Sequence, residues 1–463
     1  MFIGRKTELD DLDRLYRSDK FQCVILYGRR RIGKTALINE FIRDKEAIYF
    51  VGQEINAREN LEGFSQSIFK LSHDFPDVSP VFSSFKESIE AVFRIAEKRR
   101  ISLVIDEYPY LASSYKGISS LLQTYIDRFK ETSKLFIILC GSSLSFMENQ
   151  VLGYQSPLYG RRTAQIKLLP FEFRQATDFF GGKFSYEEAA VLYGITGGVP
   201  LYMSLVDREL SVAENIKAHF LSPSGYLFEE PGNLIKQECR EPAQYNAIIK
   251  AVANGATRLS EIAGKVGLET SLCSTYITKL ISIGIIKKEH PFKEETGRKT
   301  IYRLDDSMFR FWYRFIPDTM SLIQRREPNM AYERINDQIP AFMGAVFEEI
   351  CLQHLWHLNK ENQTPVRFTN AGRWWGTDPE RKIESEIDII ADEKNDAIFA
   401  ECKWIGKFVG VEVLDSLVER SERFQYGNKF YYLFAKSGFT ETLTKKADRL
   451  GKITLIKFEE FDR

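Results

Sequence analysis

The positions Gly28-Arg29-Arg30-Arg31-Ile32-Gly33-Lys34-Thr35 match the pattern G-x-x-x-x-G-K-[ST] without exception. In that pattern the backbone N–H groups of a glycine turn and of a helix start surround a polyphosphate, and the helix dipole favours negative charge there. The two glycines permit the tight path, Lys34 reaches the outer phosphates, and Thr35 ligates a magnesium ion. The phosphate site is therefore read as Gly28, Arg29, Arg30, Arg31, Ile32, Gly33, Lys34, Thr35 and Ala36. A pair of acids, Asp106-Glu107, closes the apolar run Ile101-Ser102-Leu103-Val104-Ile105. Asp106 is placed to hold magnesium through water, and Glu107 to activate the water that attacks the terminal phosphate. Without the loop upstream, the same residues would read as a core strand with two solvated acids at its tip.

A second constellation lies near the C-terminus. Ile387-Asp388-Ile389-Ile390 reads as a strand, a polar turn follows over 392–396, and Ala397-Ile398-Phe399-Ala400-Glu401-Cys402-Lys403-Trp404 reads as the return strand. With a period of two, Glu401 and Lys403 share a face, and a hairpin brings Asp388 beside them. Two carboxylates suit a magnesium ion, and an adjacent lysine can orient or activate a water. Glu348, on a helix opening near Gly344, offers a further metal-site carboxylate. Acid, then acid and lysine, also occurs on many solvated strands. Here the alternation with Ile398, Ala400, Cys402 and Trp404 argues that the opposite face is buried.

The elements that must position these residues follow from the hydrophobic pattern. Cys23-Val24-Ile25-Leu26-Tyr27 precedes the phosphate loop as a strand, and Ala36 to Ile42 follows it as a helix. Further strands are predicted at 46–51, at the Asp106 run, at Leu135-Phe136-Ile137-Ile138-Leu139-Cys140 and at 164–169. Strands alternating with helices argue an α/β fold with a parallel sheet wrapped on both faces. Residues 170–237 read as a helical lid, interrupted by Gly197-Gly198-Val199-Pro200. Residues 238–306 have the layout of a winged helix-turn-helix: helices near 245–252, 259–268 and 271–283, then two apolar stretches flanking a polar tip. Residues 307–463 form a C-terminal α/β region with a nuclease-like core, and 1–169 the nucleotide-binding core.

At 463 residues the chain is expected to hold several domains. It is 44% hydrophobic and 28% charged, the composition of a globular protein rather than a disordered or fibrous one. Lys plus Arg, 64 residues, equals Asp plus Glu, also 64, so any nucleic-acid binding must use local patches. The six cysteines show no C-x-x-C spacing and several lie in apolar runs, which fits buried thiols in a reducing cytoplasm. No run reaches membrane-spanning length, so no membrane partner is expected.

The order of parts resembles the archaeal-type AAA+ ATPases, including prokaryotic members fused to a C-terminal domain with a restriction-endonuclease-like core. Phe2-Ile3-Gly4-Arg5 with Glu8-Leu9 resembles the N-terminal box that contacts adenine in that group. Ser142 or Ser143 resembles the polar sensor of the terminal phosphate, and Gly160-Arg161-Arg162 the segment that offers an arginine finger to a neighbouring subunit. Gly197 to Pro200 resembles the glycine-proline motif of the lid, and Arg373-Trp374-Trp375-Gly376 the lead-in to the C-terminal domain. The resemblance implies ATP and Mg2+ as cofactors, ATP hydrolysis, self-association if Arg161 acts in trans, and action on DNA. Three arginines in the phosphate loop, where small residues are more usual, leave the cradle intact and add charge. The helix-turn-helix offers Ser271, Ser274, Thr275, Thr278 and Lys279 on its third helix. Its wing adds Lys287, Lys288, Lys293, Arg298 and Lys299, with Arg258 and Lys265 beside them. A different class of function is a nucleotide-gated switch whose C-terminal domain binds DNA or protein without cutting.

Overall fold

The computed structural model describes residues 2–72, 80–294, 299–377 and 384–462. The chain forms two compact units, Met1–Pro170 with Val199–Leu201, and Phe171–Gly198 with Tyr202–Arg463.

The first unit is built on five strands: β1 Gln22–Tyr27, β2 Ala47–Val51, β3 Ile101–Asp106, β4 Leu135–Gly141 and β5 Ala164–Lys167. They lie in the order β2-β3-β4-β1-β5 and every pairing is parallel. Every residue of β1, β3 and β4 is buried. The reason is visible in β1: Cys23, Ile25 and Tyr27 pack into one core, while Val24 and Leu26 join Leu37, Ile38 and Phe41 of the helix Lys34–Ile42 in the other. A sheet covered on both faces has no polar side, so its strands read as continuous apolar runs. The lead-in over residues 1–20 forms the amphipathic helix Lys6–Arg17, which buries Leu12. Helices Ala57–Phe69 and Phe85–Lys98 start at Asn56 and Ser84, whose side chains accept from the N–H groups of Glu59 and Glu87.

In the second unit the helices Phe173–Phe180, Tyr186–Thr196, Val212–His219 and Tyr226–Glu238 come first. Gly197 and Gly198 both have positive φ, and a Cβ at Gly198 would lie 2.1 Å from the Phe171 carbonyl oxygen. Only glycine fits that turn. Helices Pro242–Ala253, Leu259–Val266 and Thr270–Ser282 lead into an antiparallel pair, β6 Ile286–Glu289 and β7 Ile301–Leu304. The helix Ser307–Gln324 then buries Phe309, Phe311 and Phe315.

The C-terminal sheet comprises β8 Asn370–Thr377, β9 Glu384–Glu393, β10 Asp396–Lys403, β11 Asn428–Ala435 and β12 Ile453–Lys457, in the order β12-β11-β10-β9-β8. β9 and β10 form the expected hairpin, and β11 runs parallel to β10. Two strands go beyond the sequence reading. Arg373 to Gly376, expected as a lead-in, is part of the edge strand β8, paired antiparallel with β9. β12 forms the opposite edge, parallel to β11. The helix carrying Glu348 begins earlier than expected and runs Ile339–Lys360. Among the described residues no helix is long and apolar enough to cross a membrane. All six cysteines are buried and unbridged.

Candidate functional site

In the first unit, β1 ends directly at the phosphate loop. A Cβ on Gly28 would sit 2.6 Å from the Leu168 carbonyl oxygen, so the loop can leave the sheet here only through glycine. Arg31 and Gly33 have φ of 68° and 86°, and no side chain caps the helix that starts at Lys34. An uncapped helix start with amides directed into a loop is a ready anion site. Lys34 Nζ donates to the carbonyls of Gly28 at 2.9 Å and Arg29 at 3.0 Å, folding back across the loop. Burial holds the Lys34 ammonium below its ordinary pKa, against the pull of nearby acids including Glu107 and Asp106. A polyphosphate in the loop would offset that desolvation.

Asp106 sits at the end of β3 and is buried. Its Oδ2 accepts from Thr35 Oγ1 at 2.9 Å and from the Tyr49 hydroxyl at 2.7 Å, while its Oδ1 accepts from the Glu107 amide at 3.0 Å. The structure thus joins Thr35 and Asp106, far apart in sequence, at one point. Glu107 follows in the left-handed region with φ 49°, an uncommon backbone for a side-chain-bearing residue and one that clusters at functional sites. Its Oε2 accepts from Ser142 Oγ at 2.9 Å, which places Ser142 rather than Ser143 on the carboxylate. Tyr49 is the residue the sequence reading missed here. Its pattern signal was only that of a strand residue, and its pairing with Asp106 arises because β2 and β3 are neighbours.

The arginines of the loop and box have structural work. Arg30 Nη2 donates to the Tyr110 hydroxyl at 2.9 Å. Arg5 is buried, pairs with Glu8 at 3.1 Å, and donates to the backbone oxygens of Ile32 and Leu169. Arg161 forms a double hydrogen bond with Asp127 of the same chain, Nε to Oδ1 at 3.1 Å and Nη2 to Oδ2 at 2.8 Å.

In the second unit the β9–β10 hairpin brings Asp388, Glu401 and Lys403 to one place. Asp388 Oδ2 accepts from the Cys402 amide at 2.8 Å, and Glu401 Oε1 accepts from Lys403 Nζ at 2.6 Å. Burial, then Glu401 and Glu348, push the Asp388 carboxyl up to about 8. Burial, then Glu386 and Glu401, raise Glu348 to about 7. Glu348, Asp388 and Glu401, expected as metal-site carboxylates, lie near enough that Glu401 raises the affinity of the other two for protons. Among the described residues no group of three or more His, Cys, Asp or Glu side chains is disposed to hold a metal ion. Both oxygens of Glu401 are engaged by cations of the chain itself: Lys403, and Arg420 Nη2 at 2.8 Å. Arg420, on the helix Val411–Ser421, had no signal in the sequence beyond being one basic residue on an amphipathic helix. A cleft of about 450 Å³ opens beside Glu401, Lys403 and Arg420.

Cations of the β6–β7 hairpin expected to face DNA have carboxylate partners within the chain. Lys287 pairs with Glu289 at 2.7 Å, Lys299 with Glu294 at 2.7 Å, and Lys293 with Asp392. Residues two apart on a strand share a face, so Lys287 and Glu289 meet inevitably. Lys265 pairs with Glu261 at 3.3 Å, while Lys288 and Arg258 are exposed. Arg298 lies outside the described residues. On the third helix, Thr275 and Thr278 direct their hydroxyls to the backbone oxygens of Ser271 and Ser274.

A parallel sheet with a phosphate loop after the inner strand β1, whose Thr35 meets Asp106 at the end of the strand β3, defines a P-loop ATPase fold. The comparisons agree. Residues 2–206 match a family described as an ATPase domain predominantly from Archaea. Residues 312–412 match a family described as archaeal and bacterial proteins of unknown function. An uncharacterised protein of Methanocaldococcus jannaschii is 33% identical over 407 residues, spanning 87% of this chain and 88% of that one. An uncharacterised ATP-binding protein of the same organism is 50% identical over 46 residues, 10% of this chain and 78% of that one. The solved Walker-type ATPase of Pyrococcus abyssi superposes with a TM-score of 0.52 at 19% identity, covering 68% of this chain and 96% of that one. The chain belongs to the archaeal-type ATPase family.

Proposed function

We propose that this protein binds and hydrolyses ATP with magnesium and uses the cycle to act on DNA, which its C-terminal sheet cleaves. The observation that carries the ATPase half is the convergence of Thr35, Asp106, Glu107 and Ser142 opposite the phosphate loop. In this reading Lys34 exchanges its loop carbonyls for phosphate oxygens, and Thr35 with Asp106 holds the ion. Glu107 takes the proton of the attacking water, and Ser142 holds Glu107 until phosphate arrives. Magnesium bound there would supply positive charge against the charge that develops on the phosphates. Arg161 serves a neighbouring subunit only after leaving Asp127, so self-association is part of the proposal. We place the parts at 1–169, 170–237, 238–306 and 307–463, with the third a winged helix-turn-helix, and the protein in the cytoplasm.

For the C-terminal site, Asp388 and Glu401 supply the hard oxygen ligands that magnesium prefers, with Glu348 behind them. Arg420 occupies the place on Glu401 that a cation would take, and Lys403 is beside it to orient a water. The engagement of Glu401 by two internal cations also favours a second reading, a nucleotide-gated switch whose C-terminal domain binds without cutting. Incubating the protein with supercoiled plasmid and magnesium, with and without ATP, separates the two. Nicking that disappears in Asp388→Ala supports cleavage; intact plasmid under all conditions supports the switch.

A further inference from the structure

The cleft beside Glu401 has a neighbour. Glu384, Ser385 and Glu386, at the start of β9, line both it and a second cleft of about 980 Å³. The second cleft runs along the edge strand β8 and is walled on its other side by the helix Leu259–Val266 and strand β7. The second cleft holds exposed Arg258, Arg373 paired with Glu386, Arg303 paired with Glu289, and the half-buried ring of Trp375, whose Nε1 donates to the Lys299 carbonyl at 3.1 Å. That bond fixes the indole in one orientation. The first cleft holds Glu401 and Lys403.

We propose that the two clefts together form the path of a single DNA strand, with Trp375 as the platform on which a base stacks and Arg258 as a phosphate contact. The proposal rests on the nuclease reading above and deepens it by naming the substrate as single-stranded DNA or an unpaired end. An indole set in a cleft meets the face of a base only if that base is unpaired, and aromatic stacking tolerates any base.

The test is fluorescence anisotropy of the full-length protein with a labelled mixed-sequence DNA oligonucleotide, its blunt duplex and the RNA of the same sequence. The expected result is tighter binding of the single DNA strand, weakened about fivefold or more by Trp375→Ala and largely retained by Trp375→Phe. Arg258→Ala, at an exposed position, weakens it as well, and circular dichroism confirms that each variant is folded. Preference for duplex or for RNA, or equal affinity in Trp375→Ala and wild type, overturns the proposal. Strand binding without any nicking in the plasmid assay keeps the path and removes the nuclease.

Discussion

At the scale of single residues the ATP site separates binding from chemistry. Lys34 gives a charge-assisted contact of about 1.5–3 kcal/mol, so Lys34→Ala is expected to weaken ATP binding by roughly tenfold to a hundredfold in isothermal titration. Glu107→Gln keeps the shape and removes the base. It should bind ATP normally and lose about 10²–10⁴ in turnover, measured by phosphate release. Tyr49→Phe removes one of two donors to Asp106 Oδ2. The ion-holding carboxylate is then less fixed, and magnesium titration of the ATPase should show a midpoint raised several-fold, with the maximal rate less affected. His354 makes a pH prediction. Its ring stacks on Phe461 at 4.0 Å, and burial, then His357 and Arg174, lower its pKa to about 4 from 6.5. The folded state therefore refuses a proton that the unfolded chain accepts. The stability this neutral ring contributes is complete above pH 6.5 and is lost as pH falls toward 4, by about 3 kcal/mol. Urea denaturation of His354→Gln should show a shallower loss of stability across that window than the parent.

Elements set where these side chains can go. Parallel β2, β3 and β4 put Tyr49, Asp106 and the serines after β4 at one edge of the sheet, the edge where the phosphate loop leaves β1. In the C-terminal sheet the antiparallel β9–β10 pairing sets Asp388 on the amide of Cys402, between Glu401 and Lys403 in sequence. The turn at Gly197-Gly198 is equally constrained, because Gly198 combines φ of 66° with a carbonyl 2.1 Å from where a Cβ would be. Gly198→Ala should cost at least about 1–2 kcal/mol from the backbone alone, with the clash added, and appear as a lowered melting temperature.

For the whole molecule, the phosphate loop and the Asp106-Glu107 pair both lie in one of the two compact units. At about 100 times its dissociation constant a ligand stabilises the fold that binds it by about 2.7 kcal/mol. Differential scanning calorimetry is expected to show two transitions, one of which rises with ATP and magnesium. Lys34→Ala should abolish that rise, and a single transition moving as one would show that the units unfold together.

The sequence alone determined the phosphate loop, the Asp106-Glu107 pair, the order of strands and helices in the first unit, and the β9–β10 hairpin. These are local patterns: a glycine turn, a buried run and a period of two are written in adjacent residues. Tertiary structure decided what depends on neighbours distant in the chain. Tyr49 reaches Asp106 only because β2 lies beside β3, and Arg420 reaches Glu401 only because its helix packs on the C-terminal sheet. The same holds for the paired lysines of the β6–β7 hairpin and the Arg161–Asp127 bond, since a charge in a sequence carries no sign of which opposite charge the fold will bring to it.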